Sequence, residues 1–308
     1  MKSKPPIGVS VVVPIYNEEE SLTLLYTAIR NACEALNENY EIIFIDDGSR
    51  DQSFLRLAAL HGENSHVKVI QFRKNYGQTA AMAAGFRAAR GDVVVSMDGD
   101  LQNDPSDIPR LLAKIDEGYD VVCGWRKDRK DKLVSRKIPS RIANWIIGKI
   151  TQVPIHDNGC SLKAYRKKII KQVSLYSELH RFIPAMSSLA GARIAEIVVT
   201  HHPRQFGASK YGISRAWRVF SDLFLIKLLT GFAARPSLWF GLGAMFALML
   251  CFGGIVGQLS VSAFSITFPT VSLLFFCLAG HLLVMGVLGE IIVSAGNYRP
   301  AKMIVVQE

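Results

Sequence analysis

The sequence predicts an α/β domain with a mostly parallel sheet, followed by interfacial amphipathic helices and two transmembrane helices. Three observations carry that expectation. Strand-like and helix-like segments alternate from residue 8 to 124, successive strands end in polar clusters, and no Asp, Glu, Lys or Arg occurs from Pro236 to Gly289. Alternation of this kind covers a parallel sheet with helices on both faces.

Taken in order, Val9–Val13, Glu41–Ile45, Val67–Phe72, Asp92–Met97 and Tyr119–Cys123 read as strands, rich in β-branched and apolar residues. Between them Glu18–Leu36, Asp51–Leu60, Gln78–Ala89 and Pro105–Glu117 read as amphipathic helices. The last opens on Asp104-Pro105, an entry with proline in the first turn.

Trp125 to Arg141 is charge-dense, with eight Lys or Arg against Asp128 and Asp131. It suits either a solvated linker or a basic face toward anionic headgroups. Arg141–Thr151 has Ile142, Trp145, Ile146 and Ile150 on one side. Ser214–Phe232 mixes Trp217, Phe220 and Phe224 with Arg215, Arg218 and Lys227, the profile of a helix lying in a membrane interface. Leu238–Val256 and Phe268–Val293 are each long enough to span a hydrocarbon core of about 30 Å. Arg215, Arg218, Lys227 and Arg235 precede this hairpin and Arg299 and Lys302 follow it. The positive-inside rule then places the large domain and both termini in the cytoplasm, on an inner (plasma) membrane. His281 and Glu290, in or near the second span, are given no role.

The formal charge of +10 suits anionic lipid or phosphorylated substrates. No nucleic-acid module is visible. Five cysteines without C-x-x-C spacing give neither a zinc site nor a disulfide framework and fit a reducing compartment. The apolar run Ile7–Val13 leads into Pro14 and Asn17, not into a signal-peptide cleavage site.

The chemistry gathers at strand ends. The first strand ends in Pro14-Ile15-Tyr16-Asn17-Glu18, without the G-x-G-x-x-G of a dinucleotide fold. The second ends in Asp46-Asp47-Gly48-Ser49, and the third leads into Arg73-Lys74-Asn75-Tyr76-Gly77. Asp98-Gly99-Asp100-Leu101-Gln102 closes the fourth. Open α/β sheets bind ligands at this carboxyl edge. Two adjacent carboxylates repel unless a cation sits between them, and oxygen-only ligation suits Mg²⁺ or Mn²⁺ shared with substrate phosphates. An isolated Asp98-Gly99-Asp100 could equally be a surface turn; several polar strand ends together make a site.

The P-I-Y-N-E, D-D-G-S and D-x-D-L-Q segments, in this order and spacing, resemble the family 2 glycosyltransferases with a GT-A fold. Asp157-Asn158-Gly159-Cys160-Ser161-Leu162-Lys163-Ala164-Tyr165 and Arg204-Gln205-Phe206-Gly207-Ala208-Ser209-Lys210-Tyr211 resemble motifs of the polyprenyl-phosphate branch, which holds dolichyl-phosphate mannose synthases and bactoprenol glucosyltransferases. The resemblance implies a nucleotide-sugar donor, inversion at the anomeric carbon and a lipid-phosphate acceptor. It implies that Asp46 and Asp47 bind base and ribose, and that Pro14, Tyr16 and Glu18 line the nucleotide pocket. It also implies that Asp98 and Asp100 hold Mg²⁺ or Mn²⁺, with Gln102 orienting groups nearby. Arg204, Ser209 and Lys210 would hold the lipid phosphate, Arg204 and Lys210 counting among the catalytic groups. Asp157 matches the position of the family's catalytic base, although an ionised phosphate needs orientation more than deprotonation.

The expected partition is therefore a catalytic domain over 1–212, an interfacial region over 213–235, a transmembrane hairpin over 236–293 and a tail over 294–308. The expected reaction moves a hexose, glucose from UDP-glucose in the leading case, to undecaprenyl phosphate for lipopolysaccharide or cell-wall glycan modification. GDP-mannose with a dolichyl-type acceptor is the alternative donor reading, and an idle membrane scaffold the non-enzymatic one. The partners implied are a nucleotide sugar, a polyprenyl phosphate and the lipid bilayer, with room for a homo-oligomer.

Overall fold

A computed structural model describes residues 7–36, 38–127, 148, 153, 155–173, 179–189, 191–203, 235–260 and 266–295. Ser214–Phe232, Arg204, Ser209 and Lys210 lie outside the described residues, as do the charge-dense run from Asp128 onward and Arg141–Thr151 apart from Gly148. The chain divides into two compact units, Met1–Asp222 and Leu223–Glu308.

The first unit is a seven-stranded sheet between helices, in the order β3-β2-β1-β4-β6-β5-β7. Strands β1 (Val9–Ile15), β2 (Tyr40–Asp46), β3 (Val67–Gln71) and β4 (Val93–Ser96) are mutually parallel. Strand β6 (Lys163–Arg166) runs antiparallel between β4 and β5 (Val121–Trp125), and β7 (Ile194–Val198) pairs parallel with β5. The five expected strands are present within a residue or two of their expected ends. Strands β6 and β7 were not anticipated.

Side-chain alternation along β1 shows how the sequence builds this layer. Val9, Val11, Val13 and Ile15 face a core formed with α1 (Leu22–Glu34), α2 (Ser53–Glu63) and α4 (Ile108–Asp116). Val12 faces the opposite core with α3 (Gln78–Ala88), α5 (Lys167–Ile170) and α6 (Ile183–Leu189). A period of two divides every strand between two apolar faces. Each fully buried Leu or Ile, such as Leu25, Ile29 and Leu111, contributes about 1.5–3 kcal/mol. Helix α3 packs close because Gly85 has no side chain. A Cβ there would stand 2.7 Å from Ile45 Cδ1 and press against Val12.

The register decides where the site forms. Ile15 pairs with Asp46, Asp46 with Gln71, and Val12 with Ser96, so β1, β2 and β4 end along one edge. Because β6 is antiparallel, its first residue, Lys163, meets Ser96 and Cys123 at that same edge. The turn from Asp157 into β6 therefore arrives beside Asp98.

In the second unit α7 (Pro236–Leu259) and α8 (Thr267–Ala295) pack antiparallel around Ala244, Ala247 and Ala279. At about 1.5 Å per residue their 24 and 29 residues reach about 36 and 44 Å, enough to cross a bilayer. Their outer faces expose Met245, Phe246, Met249, Phe252, Leu274, Phe276 and Ile292. The helices of a water-soluble core would bury such residues.

Candidate active site

The loops after β1 and β2 are laced together. Asn17 and Glu18 donate backbone N–H groups to the Ser49 and Ser53 hydroxyls, each at 2.9 Å. The Asn17 side chain accepts from Arg50 N–H at 2.8 Å, and Glu19 accepts from Gln52 N–H at 2.8 Å. Asn17 takes a positive φ of 52° to make these bonds. The expected helix from Glu18 consequently starts only at Leu22, the intervening residues being committed to the loop. Pro14, Tyr16 and Glu18 sit half-buried along this edge.

Asp47 organises the loop after β3. Its Oδ1 accepts from Tyr76 N–H at 2.7 Å, and its Oδ2 accepts from Gly77 N–H at 2.9 Å and the Asn75 amide at 3.0 Å. Burial pushes the Asp47 carboxyl above its ordinary value and the neighbouring Asp46 charge adds to it, while the N–H groups of Tyr76 and Gly77 oppose both. Gly48 makes the approach possible: its φ is +69°, and a Cβ would lie 2.7 Å from Asn75 N. Asp46 is fully buried. Its Oδ1 takes Ser49 N–H at 3.3 Å, and among the described residues its Oδ2 has no hydrogen-bond partner, an unmet acceptor at the sheet edge.

After β4 the chain presents Asp98 and Asp100. Gln78, the first residue of α3, donates its amide to Asp98 Oδ1 at 2.6 Å. Asp100 Oδ1 accepts Gln102 N–H at 3.2 Å across Leu101, whose φ is +58°. Ser21, just ahead of α1, donates its hydroxyl to Gly99 O at 3.0 Å and ties the turn to the β1 loop. On the other side Gln102 O accepts His202 N–H at 2.9 Å, Asn103 bridges His201, and His202 Nε2 lies 3.0 Å from Asp104. His201 and His202 thus tie this loop to the chain after β7.

Asp157 meets the site through Arg126, the residue after β5. The guanidinium grips the carboxylate at two points, Nε to Oδ2 at 2.7 Å and a terminal nitrogen to Oδ1 at 2.9 Å. The side chains are 11% and 7% exposed, so the pair is largely dry. Although burial opposes it, the Asp157 bond raises the Arg126 pKa further, and Asp98 is close enough to add to the effect. Burial pushes the neighbouring Cys160 thiol up to about 11, which keeps it protonated and rules it out as a nucleophile.

One edge therefore assembles Pro14, Tyr16, Glu18, Asp46, Asp47, Asp98, Asp100, Gln102 and Asp157. Gln78 and Glu196, which contact Asp98 and the Asp157 turn, were missed, and Arg126 was read only as part of a basic run. The donor set fits a hard divalent cation. Among the described residues no group of three His, Cys, Asp or Glu gathers as a protein cage. Two carboxylates would leave the remaining positions to substrate oxygens and water, the usual arrangement for Mg²⁺.

Comparison with known proteins agrees with this fold. Residues 10–174 match the family described as Glycosyl transferase family 2. The chain belongs to that family. It is a glycosyltransferase with a GT-A fold. Dodecaprenyl-phosphate galacturonate synthase of Rhizobium johnstonii is 47% identical over 257 residues, covering 80% of this chain and 76% of that one. Undecaprenyl-phosphate 4-deoxy-4-formamido-L-arabinose transferase of Pseudomonas fluorescens is 40% identical over 294 residues, covering 94% and 86%. Glucosyl-3-phosphoglycerate synthase of Mycobacterium tuberculosis, solved with Mn²⁺, UDP and glucosyl-3-phosphoglycerate, superposes with a TM-score of 0.55 at 16% identity, covering 73% of this chain and 79% of that one. That likeness concerns the fold alone.

Proposed function

We propose that this glycosyltransferase moves one sugar from a nucleoside-diphosphate donor to a polyprenyl phosphate at the cytoplasmic face of the inner membrane, with inversion at the anomeric carbon. The single observation that carries the reading is the convergence of Asp46, Asp47, Asp98 and Asp100 on one sheet edge in a chain that also holds two exposed apolar helices. The likeness to two prenyl-phosphate sugar transferases supports the acceptor class.

Bond making needs little from the protein at the acceptor, because a phosphate monoester near neutral pH is already a nucleophilic anion. The leaving diphosphate needs counter-charge. Mg²⁺ or Mn²⁺ held by Asp98 and Asp100 would supply Lewis-acid stabilisation there. Gln78 fixes the Asp98 carboxylate, and the Leu101 turn fixes that of Asp100. The Asp46–Asp47 strand end and Tyr16 receive the nucleoside. Arg204, Ser209 and Lys210 take the lipid phosphate, a guanidinium fork and a point charge suiting a dianion. Asp157, gripped by Arg126, acts by orienting that guanidinium; a carboxylate in a two-point ion pair is a poor proton acceptor.

The relative at 47% identity favours a galacturonosyl donor, and the bactoprenol-type motifs favour UDP-glucose. The partition into a catalytic domain over 1–212, an interfacial region over 213–235, the hairpin over 236–293 and a short cytoplasmic tail belongs to the same reading. The deciding experiment incubates the full-length protein in bilayers with undecaprenyl phosphate, Mn²⁺ and labelled UDP-galacturonate, UDP-glucose or GDP-mannose. A metal-dependent, single-sugar lipid product from one donor is expected. Absence of lipid product from any donor would overturn the acceptor assignment.

A further inference from the structure

We infer that Glu196, on β7, is a positioning residue for Asp157, a role that rests on the transferase reading above. Its carboxylate gathers the donors of one dipeptide. Oε1 accepts Asp157 N–H at 3.1 Å and His156 N–H at 3.0 Å, and Oε2 lies 2.7 Å from His156 Nδ1. The His156 ring in turn stacks on Trp125 with centroids 4.3 Å apart and planes 17° from parallel. On the far side of the turn, buried Lys163 donates to Asn158 O at 3.0 Å. The backbone around Asp157 is thus held at both ends while Arg126 holds its side chain.

The strand order explains why a residue 39 positions away does this. Strand β7 lies beside β5, with Glu196 opposite Cys123, so Glu196 stands next to the strand that delivers Trp125 and Arg126 to the edge. Its side chain is only 12% exposed, whereas that of His156 is 65% exposed. A bond to a solvated histidine contributes little to folding. What the contact fixes is the direction of the Asp157 side chain, and through it the guanidinium near Asp98. Displacement of a catalytic group by about 1 Å can cost on the order of a hundredfold in rate.

The test compares full-length wild type with Glu196→Ala and Glu196→Gln in lipid bilayers, measuring kcat, donor KM, UDP affinity and melting temperature. The Gln side chain keeps an oxygen that can accept Asp157 N–H, so Glu196→Gln should stay within about threefold of wild-type kcat. Glu196→Ala should lose about tenfold or more in kcat, with donor KM and UDP affinity within about twofold. Wild-type kcat in a folded Glu196→Ala protein, or a loss of UDP affinity equal to the loss of kcat, would overturn the assignment. If Glu196→Ala does not fold, Glu196→Asp decides: reduced kcat at unchanged donor KM supports positioning, and wild-type kcat defeats it. A wild type that transfers no sugar to lipid phosphate would refute the transferase reading itself, while UDP binding would still report on the nucleotide edge.

Discussion

Arg126 and Asp157 form a two-point ion pair in a largely dry pocket, with both nitrogen–oxygen contacts at 2.9 Å or less. Removing one partner strands the other charge. Arg126→Met should therefore destabilise the catalytic unit by about 3–5 kcal/mol, the usual cost of an unpaired buried charge. The double variant Arg126→Met with Asp157→Leu should recover most of that stability, because apolar replacement of a whole buried pair is often neutral. It should not recover transfer. Melting temperature and turnover, measured on the same three proteins, check both halves; restored turnover in the double variant would remove the pair from the chemistry.

Gly48 holds a left-handed conformation against the backbone of Lys74 and Asn75. Gly48→Ala must push that segment away from Asp47, which then loses the donors at Asn75, Tyr76 and Gly77. Strain of about 1–3 kcal/mol is expected, along with at least tenfold weaker UDP binding. Calorimetric titration with UDP and Mn²⁺ measures it. Unchanged affinity would show that the loop after β3 does not shape the donor site.

Most of this fold could be read from residues 8–124, where apolar strands and amphipathic helices alternate and each strand announces its end with polar residues. Strand β6 was harder to see because a four-residue segment inside a motif has no room to show a period. Strand β7 carries Glu196 at a position where its alternation should be apolar, so its pattern breaks where it serves the site. Arg126 illustrates a missed rule. It follows a strand end, as Asp98 does, but the seven further basic residues that follow it hid that placement within a run of solvated charge. Gln78 was hidden for the opposite reason, being an uncharged residue whose importance comes from the carboxylate it meets.

His180 is buried, with Nδ1 2.7 Å from the Thr79 hydroxyl. Burial, helped by the charges of Arg181 and Lys163, holds its imidazole well below the ordinary value of 6.5. The unfolded chain therefore binds a proton that the folded chain refuses. Stability is fully present above about pH 6.5 and falls as pH drops below it, by up to about 1.4 kcal/mol per pH unit for one such group. Melting temperature between pH 7.5 and 5 should decline for wild type and flatten for His180→Gln. Equal slopes would mean that His180 titrates as it would in water.

On the proposed reading Asp98 and Asp100 would hold the cation at the strand end. Asp100→Asn, or chelation of the wild type, should lower turnover by at least about a hundredfold, which corresponds to about 3 kcal/mol of lost transition-state stabilisation. Mn²⁺ or Mg²⁺ added back should restore the chelated wild type and leave Asp100→Asn low. Full turnover in chelator would end the metal assignment.

The proposed acceptor residues can be tested by substitution. His202 donates its N–H to Gln102 O and its ring meets Asp104, so the segment after β7 is bonded to the loop that carries Asp100. Two covalent steps later comes Arg204, followed by Ser209 and Lys210. The proposed reading gives these residues the lipid phosphate, whose oxygen attacks the anomeric carbon from the face opposite the leaving diphosphate. Arg204→Ala and Lys210→Ala should therefore raise the KM for lipid phosphate by at least about tenfold and leave UDP affinity within about twofold. Arg204→Lys should recover only part of the loss, since an ammonium lacks the planar fork that grips two phosphate oxygens. If UDP affinity collapses while the dependence on lipid phosphate stays at the wild-type value, these residues belong to the donor, and the acceptor must enter from another side of the edge.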